Sequence, residues 1–269
     1  MNNCGERPKN TSCEIRSSAA NSVAVNTPEI KVVPTPADIA AEAAERLAVI
    51  CEWAIADHGS FSVVLSGGST PKALHALLAA EPYRSRIDWT KVRVLFGDER
   101  CVPPDHAESN YRMARETLLS KVPIPQDNVY RMEGEIEPSS AAQKYEEHIN
   151  DLFGEAGGPD LCLLGLGDDG HTASLFPHTP ALAETSRNCV AQFVEKSTTG
   201  PSWRITMTAA FINRSRQVLF LVAGKSKAAA LQQILEGERN PEQFPAQLIA
   251  PEMGQLTWLM DVAAAEMAE

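Results

Sequence analysis

Between residues 61 and 260 the chain repeats one pattern: a short, near-continuous apolar run stops at a polar cluster and gives way to helical spacing. Phe61–Leu65 ends in Ser66-Gly67-Gly68-Ser69-Thr70-Pro71, before a helix expected over 72–80. The run 91–96 ends in Gly97-Asp98-Glu99-Arg100, with helices expected from near Ser109 and from Pro138 to about Phe153. Leu161–Leu164 ends in Gly165-Leu166-Gly167-Asp168-Asp169-Gly170-His171. Residues 204–208 and 217–223 read as two further strands, the second leading into Gly224-Lys225 and an alanine-rich helix through Leu235; 256–260 reads as the last. Strands that are apolar on both sides belong in a parallel sheet covered by helices on both faces. Such a sheet receives ligands at the carboxyl ends of its strands. Every polar cluster named above falls at such an end, which predicts a composite site.

A strand over 30–33 and a helix over 38–57 precede this alternation, and no long linker or repeat divides it, so 29–269 is expected to be one domain. Residues 1–28, rich in Asn, Ser and Thr, are expected to be a disordered tail. The 24 Lys and Arg against 35 Asp and Glu leave a net charge of −11. That balance argues against nucleic acid or an anionic membrane as partner, and an anionic substrate must be met by a few local cations. No apolar run is long enough to span a bilayer and no secretory apolar core stands at the N-terminus, so a soluble, cytoplasmic protein is expected. The six cysteines show no C-x-x-C spacing and the histidines no metal-ligand spacing. Reduced thiols, a core role for Cys162 and no metal or other cofactor are the expectations.

Four clusters carry groups fit for chemistry. Gly67 and Gly68 permit close backbone approach, and Ser69 or Thr70 can cap the helix that Pro71 begins; such a loop aims N–H groups at a phosphate or carboxylate. It matches neither common nucleotide fingerprint. In Asp98-Glu99-Arg100, alternation turns Asp98 and Arg100 toward the crevice and Glu99 away, and Arg100 can grip an anion through its planar fork. His171 is the residue of its cluster suited to proton transfer near neutrality, with Asp169 to support its imidazolium or orient a neighbour. Arg204 and Lys225, each at a strand end, complete the local positive site.

The segments LSGGSTP (65–71), FGDERCVP (96–103), SNYRMARETLL (109–119), PDLCLLGLGDDGHTASLFP (159–177), RITMT (204–208) and VAGKSKAAAL (222–231) together resemble the 6-phosphogluconolactonase family. The resemblance implies a Rossmann-like α/β fold and hydrolysis of 6-phospho-D-glucono-1,5-lactone to 6-phosphogluconate, the second step of the pentose phosphate pathway, without cofactor. It implies a catalytic role for His171, Asp98 and Arg100, and substrate binding by Gly67, Gly68, Ser69, Arg204 and Lys225; Asp169, from its place beside His171, is expected among the substrate-binding residues as well. The partner implied is a phosphorylated sugar lactone. The related glucosamine-6-phosphate deaminases, aldose–ketose isomerases, are the alternative. Their pattern has an aromatic residue after Asp-Glu and an Asn-Glu-Pro segment after the histidine. Here Arg100 and Ser174-Leu175-Phe176-Pro177 stand in those places, which favours the lactonase. A lactone needs a water, a base for its proton and donors for the oxyanion at C1. No G-x-S-x-G elbow is present to supply a serine nucleophile.

Overall fold

The computed structural model describes residues 27–195, 202–251 and 253–266, together with Met1 and Gly200. The tail expected over 1–28 lies, apart from Met1, Thr27 and Pro28, outside the described residues, as do Cys4 and Cys13. Nine strands are described: β1 (Glu29–Val33), β2 (Phe61–Leu65), β3 (Val92–Phe96), β4 (Asp98–Arg100), β5 (Leu161–Leu164), β6 (Cys189–Val194), β7 (Ser202–Met207), β8 (Gln217–Val222) and β9 (Gln255–Asp261). The α-helices are α1 (Pro36–His58), α2 (Ser69–Leu78), α3 (Tyr83–Arg86), α4 (Asn110–Ala114), α5 (Pro138–Phe153), α6 (Ala209–Ile212), α7 (Ala228–Leu235) and α8 (Val262–Ala265), with a π-helical turn, Arg115–Leu119, continuing α4.

Six strands form an all-parallel sheet in the order β1-β9-β8-β5-β2-β3. Alternate residues along each central strand enter opposite cores. Val63, Leu65, Leu161, Leu163, Leu219 and Leu221 pack with Leu47 of α1 and with Leu74 and Leu78 of α2. Val64, Cys162, Leu164, Val218 and Phe220 pack on the other face with Tyr145 and Ile149 of α5 and Leu231 of α7. This double burial is why these strands read as continuous apolar runs. Trp258 and Phe220, stacked at 3.9 Å, fill the second core, and each such side chain contributes roughly 1.5–3 kcal/mol by leaving water. Cys162 is the small core residue it was expected to be.

Helix α1 is set by local chemistry. Thr35 and Asp38 close a capping box, Pro36 occupies the first turn, and Gly59, at φ 85°, ends the helix in a left-handed conformation. The expected 38–57 span was therefore short at both ends.

One part of the strand reading is corrected. The strand expected at 204–208 is not a member of the parallel alternation. It is β7, the middle of a separate antiparallel sheet in the order β4-β7-β6. Asp98-Glu99-Arg100 is likewise a short strand of that sheet, and β6 had not been anticipated. Along β7, Ile205 and Met207 enter the second core, while Arg204 and Thr206 occupy the alternate positions. That period of two marks an antiparallel strand with one polar face.

Candidate active site

Strands β2 and β5 are neighbours, yet from β2 the chain moves to β3 on one side and from β5 to β8 on the other. The loops that leave such a pair of strands diverge and open a crevice. A cavity of about 800 Å³ lies there, walled by Ser66, Gly67 and Gly68 after β2, by the segment after β5, and by β4 and β7.

The loop after β2 enters α2 through Gly68, whose φ of 108° suits glycine, and no side chain bonds the first N–H groups of the helix. The expected cap by Ser69 or Thr70 is thus not made. The helix begins at Ser69, three residues earlier than expected, and Pro71 fits inside its first turn, where no N–H is needed. Ser69 is exposed and is not among the residues that line the crevice; Ser66, Gly67 and Gly68 are. Gly67 is tightly constrained: a β-carbon there would lie 2.1 Å from Asn110 Oδ1.

Strand β4 places Asp98 and Arg100 on the crevice, as alternation predicted. Asp98 is buried and accepts hydrogen bonds from Ser174 Oγ at 2.6 Å and Asn110 Nδ2 at 3.1 Å. Asn110 Nδ2 also donates to the Asp98 carbonyl at 2.9 Å. Glu99 points away from the crevice but is also buried. It accepts from the backbone N–H groups of Arg100, Asn110 and Tyr111, each at 2.8 Å, and from Ser109 Oγ at 3.0 Å. Burial nonetheless pushes its carboxyl up against the pull of these donors. Glu99 thereby fixes the start of α4, and with it the side chain that reaches Asp98.

Arg100 donates from Nη1 to the Glu108 carbonyl. Asp98 is held by Asn110 and Ser174. Arg100 and Arg204 stand opposite each other across the β4–β7 ladder, and Gln192 of β6 stands opposite Arg204. Burial, and next the charge of Arg100, hold the Arg204 guanidinium below its ordinary value, against the pull of Asp98. Two cations side by side in a partly desolvated wall suit a multiply charged anion.

After β5 the backbone folds into a tight turn. Gly167 N–H donates to the His171 carbonyl at 2.8 Å and Gly170 N–H to the Gly167 carbonyl at 3.1 Å. A β-carbon on Gly167 would lie 2.0 Å from His171 Nδ1, so this glycine makes room for the imidazole. Asp169 Oδ1 sits 2.5 Å from His171 Nδ1 and accepts the His171 N–H at 3.1 Å. The ring stacks on Phe176 with centroids 4.1 Å apart. Burial opposes ionisation of Asp169, but the hydrogen bond and charge of His171 outweigh it and hold the carboxyl below the usual range. Ser174 is anchored by its N–H on Thr206 Oγ1 at 3.2 Å and by a hydrogen bond from Gln192 Nε2 to its carbonyl.

The loop after β8 corrects another expectation. Lys225 is exposed and outside the crevice lining, whereas Lys227 lines it. Gly224, at φ 91°, starts a 3-10 turn over Lys225–Lys227, and it is the end of that turn that reaches the crevice. Lys227 Nζ lies 2.5 Å from Asp168 Oδ1, which also accepts from Ser226 Oγ at 3.0 Å. Asn110, Ser174, Phe176, Asp168 and Lys227 also line the crevice and were not singled out as candidates. Asp168 stood inside a cluster already read as part of the site, and Lys227 had a readable signal as a second lysine on the same glycine-led turn.

Residues 34–258 match a family model described as glucosamine-6-phosphate isomerases/6-phosphogluconolactonase. A 6-phosphogluconolactonase of Synechocystis sp. is 45% identical over 218 residues, 79% of this chain and 87% of the relative. The structure of a 6-phosphogluconolactonase from Trypanosoma cruzi is similar with a TM-score of 0.81 at 33% identity, covering 90% of this chain and 97% of the other. A monomeric glucosamine-6-phosphate deaminase is similar with a TM-score of 0.78 at 21% identity, covering 89% of this chain and 100% of its own, a likeness of fold alone.

Proposed function

Because the chain belongs to the glucosamine-6-phosphate isomerase/6-phosphogluconolactonase family, we propose that its crevice hydrolyses 6-phospho-D-glucono-1,5-lactone to 6-phospho-D-gluconate, in the oxidative branch of the pentose phosphate pathway. One observation carries the reading furthest: a histidine–carboxylate pair and the cations Arg100, Arg204 and Lys227 line the same cavity. The first suits proton transfer and the second a phosphorylated ligand.

The reaction follows from this chemistry. With its Nδ1–H directed at Asp169, neutral His171 keeps a lone pair on Nε2 and takes a proton from water as the water oxygen bonds to C1. The charge that develops on the carbonyl oxygen is met by Arg100 and by N–H groups of the Gly67–Gly68 loop at the start of α2. The C1–ring oxygen bond then breaks, and the ring oxygen takes the proton from His171. The new carboxylic acid ionises in water. Arg204 and Lys227 hold the phosphate, and Asp98, held in place by Asn110 and Ser174, accepts a hydrogen bond from a hydroxyl of the sugar chain. A positioned base supplies roughly 10²–10⁴-fold and an oxyanion donor roughly 10²–10³-fold. A lactone that already opens in water needs no covalent intermediate beyond that.

A cytoplasmic setting is part of this reading, supported by the free thiols of Cys51, Cys101, Cys162 and Cys189. No described helix is long and apolar enough to cross a membrane. The test is a pH-stat assay with freshly generated 6-phosphogluconolactone beside one with glucosamine 6-phosphate. Acid release from the first and no ammonia from the second is the expected result; the reverse would install the deaminase alternative.

A further inference from the structure

Among the described residues, the charged side chains on the crevice, His171 apart, are Asp98, Arg100, Asp168, Asp169, Arg204 and Lys227, three of each sign. These described charges balance, so each cation's local partner decides how freely it can meet a phosphate dianion. The three carboxylates differ in what they neutralise. Asp98 is bonded to the neutral donors Asn110 and Ser174, and Asp169 to His171. Asp168 alone of the three makes an ion pair with a crevice cation, its Oδ1 lying 2.5 Å from Lys227 Nζ. Its side chain is also the most open to water of the pair, at 64% exposed against 25% for Lys227. An ion pair with one partner so exposed is weak, and releasing the carboxylate to solvent costs little.

We propose that Asp168 is a counter-ion built into the crevice: it occupies Lys227 while the site is empty, surrenders that cation to the phosphate of an entering ligand, and so lowers affinity for phosphorylated ligands. The proposal rests on Lys227 as a phosphate contact in the function given above. Two effects act in the same direction. The ion pair must loosen before Lys227 gives its N–H donors fully to phosphate. The Asp168 carboxylate then stays close to a dianion, and like charges at such range repel. Holding Lys227 in place offsets this only in part, because an ammonium is a point charge that needs little orientation. Asp168 shares its turn with Asp169 and His171, between Gly167 and the His171 carbonyl. The turn that carries the base thus also carries the residue that restrains phosphate.

Calorimetric titration with inorganic phosphate at low ionic strength tests this on the full chain. Asp168→Asn keeps an acceptor for Ser226 and removes the charge. Its affinity for phosphate is expected to rise roughly three- to tenfold, an effect that shrinks as salt screens the charges. In a Lys227→Met background the same substitution should change affinity by less than half that factor. Weaker phosphate binding by Asp168→Asn would make Asp168 a support for Lys227 and overturn the proposal. An equal gain with and without Lys227 would also overturn it, since Asp168 would then act by general charge. These titrations do not need the lactone. A wild-type chain that binds phosphate but fails to open lactone refutes the proposed reaction and leaves the counter-ion question answerable.

Discussion

Arg100 and Arg204 face each other directly across the β4–β7 ladder, like charges in positions where neighbouring strands ordinarily place complementary groups. Like charges so placed repel, and an anion beside the two guanidinium groups eases that repulsion. Arg204→Ala and Lys227→Ala are each expected to raise KM for the phosphorylated lactone roughly 10- to 100-fold, the worth of a charge-assisted hydrogen bond. KM for unphosphorylated gluconolactone should move less than threefold. Parallel kinetics on the two lactones decide it; equal losses on both would remove these cations from the phosphate.

For the base, His171→Asn should lower kcat by roughly 10²–10⁴-fold with a smaller change in KM. Asp169→Asn leaves the imidazole in place but removes its anionic partner, and a loss of roughly 10- to 100-fold is expected. Both rates require subtraction of spontaneous lactone opening. A near-normal corrected kcat in His171→Asn would leave the histidine as a binding residue.

The contact between Gly67 and Asn110 makes a sharper test of geometry. A methyl group on Gly67 has to displace an amide that Asp98 holds at two points. Gly67→Ala is expected to lower kcat/KM at least roughly 100-fold while the far-ultraviolet circular dichroism spectrum is retained. Adding Asn110→Ser, which shortens the obstructing side chain, should recover part of the loss. Failure of the double variant to improve on the single one would show that the Asn110 contact is not what excludes a side chain at Gly67.

Acid stability turns on His75. It is fully buried in α2, with Nδ1 3.1 Å from Thr117 Oγ1, and that hydroxyl donates to the Met113 carbonyl at 2.7 Å. Nδ1 therefore carries the ring hydrogen, and Nε2 has no hydrogen-bond partner among the described residues. Burial pushes the imidazole down to about 4 from 6.5. The unfolded chain takes up this proton first, so the contribution is intact above about pH 6.5 and is lost as pH falls toward 4. At roughly 1.4 kcal/mol per pKa unit the loss approaches about 3 kcal/mol. His75→Leu should flatten this part of the profile. Urea midpoints at pH 7 and pH 4.5 measure it, and an equal acid-induced drop in variant and wild type would clear His75.

Among the described residues no three His, Cys, Asp or Glu side chains converge as metal ligands do. Activity is expected to survive exhaustive EDTA treatment. Loss on chelation with recovery on adding a divalent ion would contradict this.

What could be read from the chain beforehand depended on how local the cause was. Strands such as Phe61–Leu65 and Leu161–Leu164 are buried on both faces, so their composition alone declares them. His171 and Gly67 stand at the ends of such strands and were legible for that reason. Asn110 was not, because its importance comes from Glu99 gripping the N–H groups at the start of α4 and from Asp98 receiving its amide. Those contacts join β4 to a helix beyond an intervening loop, and no spacing rule encodes them. Lys225 and Lys227 share a single 3-10 turn and only the second lines the crevice, a difference of rotation that spacing does not encode. The small antiparallel sheet escaped notice because β4 is only three residues long and takes its partner from far along the chain.

The meeting of β2 with β5, through Val63 opposite Leu161 and Val64 opposite Cys162, has a consequence for the life of the chain before it is complete. A polypeptide leaving the ribosome presents the Gly67–Gly68 loop early, the base much later, and Lys227 only with the final strands. Closing contacts between such distant segments is slow, since chain entropy is lost well before the pairing rewards it. A nascent chain that stops before Lys227 lacks one of the three described cations of the crevice.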